Sequence, residues 1–308
     1  MLGVTTCLPF KLILATCGGQ SYSIKAFLVS GFFQDTTSHG IRLNYSQTPL
    51  SDINIGDLRS KIHELNLLSE QLGCVVFEGQ KSNKTDLVIF AGNLERFSML
   101  SAARDVSSRV FYFQDTASWW YGGSSLLPDI RGISAFLLEH VRNRNCLIFG
   151  QSSGGYAALV SGALIPHADV LACSPQTFSD SMLKRRLHVA PSIGVQYAPD
   201  YLLDIEALYA ASNRTGIAAA IFAASEFQNP YRSHLWMDHL HLAKTLRVPS
   251  IESFLADAAN HSIVFQRAGV FSECLKKLLS IGGKRAELKL AAIRKLVNGM
   301  RMEDVSSD

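Results

Sequence analysis

The sequence predicts an α/β protein in which helices cover both faces of a mostly parallel β-sheet. Short runs rich in Val, Ile and Phe alternate with longer stretches of helical periodicity, which is the pattern that parallel strands and crossover helices produce. In addition, a glycine-rich turn joins one apolar run directly to an Ala-rich helical stretch. Open sheets of this class bind ligands where their strands end, so we expect the functional site at that edge.

Six apolar runs are predicted strands, and four periodic stretches are predicted helices. Each apolar run ends in Gly, a polar residue or a turn signal. The predicted strands are 87–92, 109–113, 146–150, 169–173, 216–224 and 250–255. The predicted helices are 130–142, 155–164, 238–246 and 261–279.

We divide the chain into three regions. Short alternating segments within residues 1–84 predict an antiparallel, β-rich extension of the sheet. Residues 85–280 are the predicted α/β core, and 174–214 is a candidate cap because short helical pieces interrupt the alternation there. Residues 281–308 form a basic C-terminal helix and tail, whose apolar spacing favours docking on the body over a membrane-surface or partner role.

The composition argues against several classes of function. The 308 residues include 29 Lys and Arg against 26 Asp and Glu, and this net charge of +3 is too small to indicate a nucleic-acid partner. No apolar run approaches the ~20 residues of a membrane span, and the N-terminus lacks the basic start of a secretory signal. The 6 cysteines are scattered, as expected of buried thiols in a reducing compartment. We therefore expect a cytoplasmic protein.

The most informative motif is a G-x-S-x-G turn centred on Ser152, between a predicted strand and a predicted helix. Such a turn is so sharp that the residues two before and two after the serine need minimal side chains, and Gly150 and Gly154 meet that need. The turn lifts the Ser152 hydroxyl above the sheet, while the Ser153 N–H points to where an oxyanion would form. The alternative is that these glycines only allow tight packing of strand and helix.

A serine nucleophile needs a histidine base and an acid, in the chain order Ser, acid, His. His261 follows the last predicted strand, where the base is expected. Two residues compete for the acid. Glu226, two residues beyond the predicted strand 216–224, is favoured, and Asp238, which opens the next predicted helix, has helix capping as its alternative role. Such a triad needs no metal or organic cofactor.

Two further groups of residues are candidates for binding the substrate. Gly92 and Asn93 follow the predicted strand 87–92 and are candidates for the second oxyanion donor, although a plain turn is the alternative. Trp119 and Tyr121 follow the next strand and suit an aromatic platform for a sugar or acyl group. Their alternative role is that of ordinary core and rim aromatics.

The elbow, the histidine after the last strand and the order of elements resemble the α/β-hydrolase superfamily. More narrowly, residues 85–280 resemble bacterial hydrolase-fold proteins associated with cell-surface polysaccharide or glycoprotein biosynthesis. Ser153 stands where that family has Met, and Asn93 where it has Gly. The segments that carry the resemblance are 92–97, 114–121, 150–159 and 173–177.

The resemblance implies a serine esterase or deacylase, or an acyltransferase, that acts on a small-molecule or glycan ester. Its alternative is a catalytically silent hydrolase-fold scaffold in a surface-glycan assembly system. A silent protein would have no chemical need to keep Gly150, Ser152, Gly154 and His261 together. The sequence leaves open the substrate, the choice between hydrolysis and acyl transfer, and the oligomeric state.

Overall fold

The computed structural model describes ten segments between residues 44 and 300. The chain divides into two compact units, 1–42 and 43–308, and every described residue belongs to the second. The described segments are 44–46, 50–54, 74–92, 99–115, 120–121, 129–178, 202–224, 233–258, 261–283 and 285–300.

The described strands form one eight-stranded sheet in the order β1-β2-β4-β3-β5-β6-β7-β8. All neighbouring strands are parallel except β2 and β4, which run antiparallel. The strands are β1 Asn44–Ser46, β2 Cys74–Phe77, β3 Thr85–Phe90, β4 Arg109–Phe113, β5 Asn145–Gln151, β6 Asp169–Cys173, β7 Ala218–Ala223 and β8 Glu252–Ala256.

Eight α-helices are described, besides a 3-10 turn at Leu50–Asp52. They connect the strands or follow the last one, so the predicted alternation of strands and helices is confirmed. The helices are α1 Leu100–Ala103, α2 Ile130–Val141, α3 Ser153–Leu164, α4 Ile205–Ala210, α5 Ser233–Thr245, α6 Ile263–Gln266, α7 Ala268–Ser280 and α8 Ala286–Asn298.

The sheet is covered on both faces because successive strand residues point to opposite sides. Leu171 of β6 belongs to the apolar cluster that contains residues of α1, α7 and α8. Its neighbour Val170 lies against Gly162 of α3, on the other side. Strands buried on both faces need uninterrupted apolar runs, and every residue of β6 and β7 is buried.

The C-terminal helix α8 packs against the sheet through Ile293 and Leu296, both buried. Lys289, on the same helix, is also buried, and its Nζ lies 2.7 Å from Asp169 Oδ2 at the start of β6. The same Nζ donates to the carbonyl of Gly283 at 2.9 Å. An ion pair thus joins this helix to the start of β6. The division of the chain into regions at residues 84 and 280 remains a prediction.

The described cysteines have the packing role that the sequence suggested. Cys74, Cys146, Cys173 and Cys274 are buried and form no disulfide. Burial raises the pKa of the Cys146 and Cys173 thiols well above the ordinary value, so both stay protonated and unreactive. Cys7 and Cys17 lie outside the described residues.

None of the described helices combines the length and the apolar character that a bilayer-spanning helix requires.

Candidate active site

Ser152 lies at the sharp turn between β5 and α3. Its backbone has φ 57° and ψ −119°, a conformation that residues other than glycine rarely adopt. Two hydrogen bonds hold the turn: the Ser152 N–H donates to the Cys173 carbonyl at 2.8 Å, and the Tyr156 N–H donates to the Ser152 carbonyl at 3.1 Å. The backbone at Ser152 therefore has the strained geometry expected of a nucleophile elbow.

The two motif glycines are required by backbone contacts. A Cβ at Gly150 would overlap the Gly154 carbonyl, and a Cβ at Gly154 would overlap the carbonyl oxygen of Phe90 in β3. Both obstacles are main-chain atoms, which cannot rotate away as a side chain can. The elbow in this form therefore needs glycine at both positions.

We expect Gly154→Ala to lower the free energy of unfolding by about 2–3 kcal/mol, the upper range for overpacking a core. The matched control is Gly269→Ala in α7, where an added Cβ would meet nothing within 4 Å. Since alanine favours helix over glycine by about 1 kcal/mol, the control should be as stable as the wild type or more so. Urea unfolding measures both, and equal stability of the two variants would contradict this account of the elbow.

His261 and Asp238 form a hydrogen-bonded pair. His261 Nδ1 lies 3.0 and 2.9 Å from the two carboxylate oxygens of Asp238. The Asp238 side chain is fully buried, and that of His261 is 14% exposed. Because an ionised carboxylate can only accept, the contact assigns a proton to Nδ1, and in a neutral imidazole the lone pair is then on Nε2. This is the tautomer that a general base requires.

The contact with His261 favours Asp238 over Glu226 as the candidate acid. The acid of a triad must reach the imidazole nitrogen that faces away from the serine. The carboxylate that contacts this nitrogen is that of Asp238. Glu226 lies outside the described residues. Helix α5 also begins at Ser233, five residues before the predicted start, so Asp238 lies inside the helix and does not cap it.

Gln151, the residue before Ser152, links the elbow to the turn that carries His261. Its Oε1 accepts from the Val264 N–H at 3.0 Å, and its Nε2 lies 3.5 Å from the His261 carbonyl. The histidine is thus held against the strand that ends at the serine. Sequence reasoning missed this contact because position x of a G-x-S-x-G motif has no fixed identity.

Gln176, in the loop after β6, contacts the serine hydroxyl. Its Nε2 lies 3.2 Å from Ser152 Oγ, and its Oε1 accepts from Trp120 Nε1 at 3.1 Å. Sequence reasoning also missed this residue, although it belongs to the segment 173–177 that carries part of the family resemblance.

The structure describes only part of the predicted oxyanion site. Ser153 is the first residue of α3, where backbone N–H groups lack partners within the helix. Gly92 is buried just beyond the end of β3. Asn93 lies outside the described residues, and so does Trp119 of the predicted aromatic platform.

Tyr121 is a buried structural residue, and the platform hypothesis is wrong for it. Only 1% of the residue is exposed. Its hydroxyl lies 2.7 Å from the Ala91 carbonyl and 3.2 Å from the Phe113 carbonyl. Burial raises its pKa well above 10. The ring therefore fastens the ends of β3 and β4 together and leaves no face for a substrate.

Backbone strain is concentrated around the serine. Among the described residues, every non-glycine residue with positive φ follows the carboxyl end of β4, β5 or β6. Such strain persists only where surrounding contacts enforce it, and it clusters at functional sites. These residues are Trp120, Tyr121, Ser152, Ser174 and Phe178.

The strand order, the antiparallel β2 and the serine elbow after β5 together define the α/β-hydrolase fold, as predicted from the sequence. The fold class is thereby confirmed. A fold of this kind carries many activities, so the activity has to be argued from the side chains at the elbow.

Comparisons with known proteins find similarity in structure alone. No protein-family model matches the sequence, and no curated protein matches it. A lipase-esterase related protein from Clostridium acetobutylicum is 15% identical with a TM-score of 0.43, over 67% of this chain and 98% of its own. The hydrolase olei00960 from Oleispira antarctica is 11% identical with a TM-score of 0.46, over 78% and 100%.

A third solved structure, the capsule O-acetyltransferase of Neisseria meningitidis serogroup A, is 14% identical with a TM-score of 0.46. The alignment covers 68% of this chain and 92% of that protein. Because these TM-scores are below 0.5, the fold assignment rests on the strand order and the elbow.

Proposed function

We propose that this protein is a serine hydrolase or acyltransferase with Ser152 as nucleophile, His261 as base and Asp238 as acid. The observation that carries the proposal is the bidentate contact of Asp238 with His261 Nδ1. The link through Gln151, which holds the histidine turn against the elbow, supports it as well. The G-x-S-x-G motif does not by itself require a carboxylate beside His261. A histidine that acts as a general base does require one, because the carboxylate orients the ring.

Acylation begins when Ser152 Oγ attacks the carbonyl carbon of an ester. The new C–O bond forms as the hydroxyl proton passes to His261 Nε2, and the carbonyl electron pair moves onto its oxygen. The N–H groups of Ser153 and of the Gly92–Asn93 loop stabilise this oxyanion, at about 3 kcal/mol for each donor. When the C=O bond re-forms, the bond to the alcohol breaks, and the alcohol leaves with the proton from His261.

Deacylation repeats these steps with a new acceptor. His261 removes a proton from water or from another hydroxyl, whose oxygen attacks the acyl carbon. Ser152 Oγ then leaves with its electron pair and regains the proton. Asp238 holds Nδ1–H throughout and stabilises the imidazolium that forms twice in each cycle. Water as acceptor gives an acid, and a sugar hydroxyl gives a new ester.

A glycan ester is the substrate class that we propose, on the strength of the sequence resemblance to surface-polysaccharide proteins. The Neisseria protein is named a capsule O-acetyltransferase, but a similarity with a TM-score below 0.5 adds no support. We expect a panel of p-nitrophenyl esters from acetyl to octanoyl to show the highest kcat/KM for the shortest acyl groups, and a preference for octanoyl would count against O-acetyl glycans.

The cytoplasmic location remains part of the proposal.

Labelling with a fluorophosphonate probe tests the nucleophile. We expect the wild-type protein to be labelled and Ser152→Ala to remain unlabelled, since the probe bonds only to an activated serine. Ser280→Ala is the matched control, because this serine is exposed at the end of α7 and has no part in the proposed site. A wild-type protein that is folded but unlabelled would instead support the silent scaffold.

A further inference from the structure

The amide of Gln176 has one possible orientation. An indole N–H can only donate, so the Gln176 oxygen must face Trp120 and the NH₂ group must face Ser152. Gln176 is 5% exposed and Trp120 is 1% exposed, so both side chains are shielded from bulk water. A flipped amide would leave the buried indole N–H without an acceptor. The side chain is therefore set as a donor to Ser152 Oγ.

The loop that carries Gln176 is anchored on both sides of it. Before it, the Ser174 N–H donates to the Ile221 carbonyl of β7 at 2.7 Å. After it, the backbone N–H of Thr177 donates to Nδ1 of His241 at 2.9 Å, and the Thr177 hydroxyl lies 2.9 Å from the same nitrogen. His241 belongs to α5 and is fully buried. Gln176 is thus held in place before any substrate arrives.

A donor at this position acts on the atom that reacts. The N–H of Gln176 occupies one lone pair of Ser152 Oγ, which turns the hydroxyl proton away from the amide and leaves it to the base. Oγ gains negative charge when it loses its proton during acylation, and again when it leaves during deacylation. A hydrogen bond to a charged oxygen is stronger than one to a neutral oxygen, so the amide stabilises both transition states more than the resting enzyme.

We propose that Gln176 is a further catalytic residue, which donates a hydrogen bond to Ser152 Oγ in both half-reactions, and that Trp120 is its positioning residue. The proposal rests on the proposed role of Ser152 as nucleophile. It adds a donor to the attacking and leaving oxygen, separate from the N–H groups that stabilise the carbonyl oxygen.

Gln176→Glu is the sharpest test, because Glu keeps an acceptor for the Trp120 N–H and removes the donor to Ser152. The ionised carboxylate also repels charge on Oγ. We expect the second-order rate of fluorophosphonate labelling at pH 8 to fall about 100-fold or more. The ratio of variant to wild-type rate should rise as the pH falls, because a protonated Glu donates again. Gln176→Met, which adds no titrating group beside the proposed base, is the reference for this pH dependence.

Gln176→Met removes the donor without adding charge, and we expect labelling to slow by roughly 10- to 100-fold. Trp120→Phe leaves Gln176 in place but releases its amide, so it should cause a smaller loss. If Trp120 acts through Gln176, the same Phe substitution should have no further effect on the rate in the Gln176→Met background. This double-mutant cycle decides the question if Gln176→Glu fails to fold, as thermal melting would reveal.

The possible outcomes separate this proposal from the proposed function. If the wild type is labelled and both Gln176 variants react at its rate, Gln176 is not catalytic while Ser152 remains the nucleophile. If Gln176→Met is slow but Gln176→Glu matches the wild type at every pH, Gln176 is only an acceptor for Trp120. Additive effects in the cycle would remove the positioning role of Trp120. If the wild type is unlabelled, the proposed function itself fails.

Discussion

Asp238→Asn should lower kcat for an activated ester about 10⁴-fold, the size of the effect that this replacement has in a serine protease triad. The shape of the side chain is kept, but an amide that turns its NH₂ toward His261 forces the Nδ1 atom to accept. The proton then lies on Nε2, which can no longer remove the proton of Ser152. KM should change little, because the interaction that is lost matters chiefly in the transition state.

Initial rates with p-nitrophenyl esters between pH 6 and 9 measure this effect. The matched control is Glu226→Gln, which makes the same chemical change at the other candidate acid and should stay within about twofold of wild type, as a carboxylate outside the triad would. Loss of activity in Glu226→Gln with full activity in Asp238→Asn would assign the acid to Glu226 and remove Asp238 from the triad.

Lys289→Met should lower the free energy of unfolding by about 3–5 kcal/mol, which is the typical cost of removing one partner of a buried ion pair. The side chains of Lys289 and Asp169 are only 9% and 12% exposed. Asp169 would keep the hydrogen bond from the Ile217 N–H at 3.0 Å, but its charge would have no partner among these contacts. We expect α8 to loosen from the sheet before the rest of the protein unfolds.

Two controls separate burial from charge. Arg294→Met, on the same helix as Lys289, removes an ion pair with Glu252 of β8, but these side chains are 56% and 46% exposed, so the expected cost is below about 1 kcal/mol. The double variant Lys289→Met, Asp169→Asn should recover much of the loss, since Asn can still accept from Ile217. Denaturant unfolding gives all three values, and similar costs for Lys289→Met and Arg294→Met would show that burial of the pair contributes little.

The fold could be predicted well because the central strands are buried on both faces and therefore have uninterrupted apolar runs. The predicted bounds of β4 and β6 match the structure. Strand β2 was missed, since a run of four residues is too short for periodicity to detect. The predicted helix 261–279 is two helices, which end and begin on either side of Arg267. The apolar spacing of the sequence continues across Arg267, so periodicity alone does not reveal the break between the two helices.

The site could be predicted only where its chemistry is local in the chain. The sequence indicates Ser152, the proposed nucleophile, through the glycines two residues away, and His261, the proposed base, through its place after the last strand. The other contacts join residues far apart in sequence: Asp238 is 23 residues from His261, and Gln176 is 24 from Ser152. No spacing rule ranks such partners. The sequence ranked Asp238 second for this reason, because position after a strand does not determine which carboxylate contacts the ring.

Helix α5 carries two of the contacts on which the site depends. Asp238 and His241 are three residues apart, so they lie on the same side of the helix. One holds His261 after β8, and the other holds the loop of Gln176 after β6. A shift of this helix by one residue would rotate both side chains by about 100° and break both contacts at once. The rotation of this one helix about its axis therefore positions both His261, the proposed base, and the loop that carries Gln176.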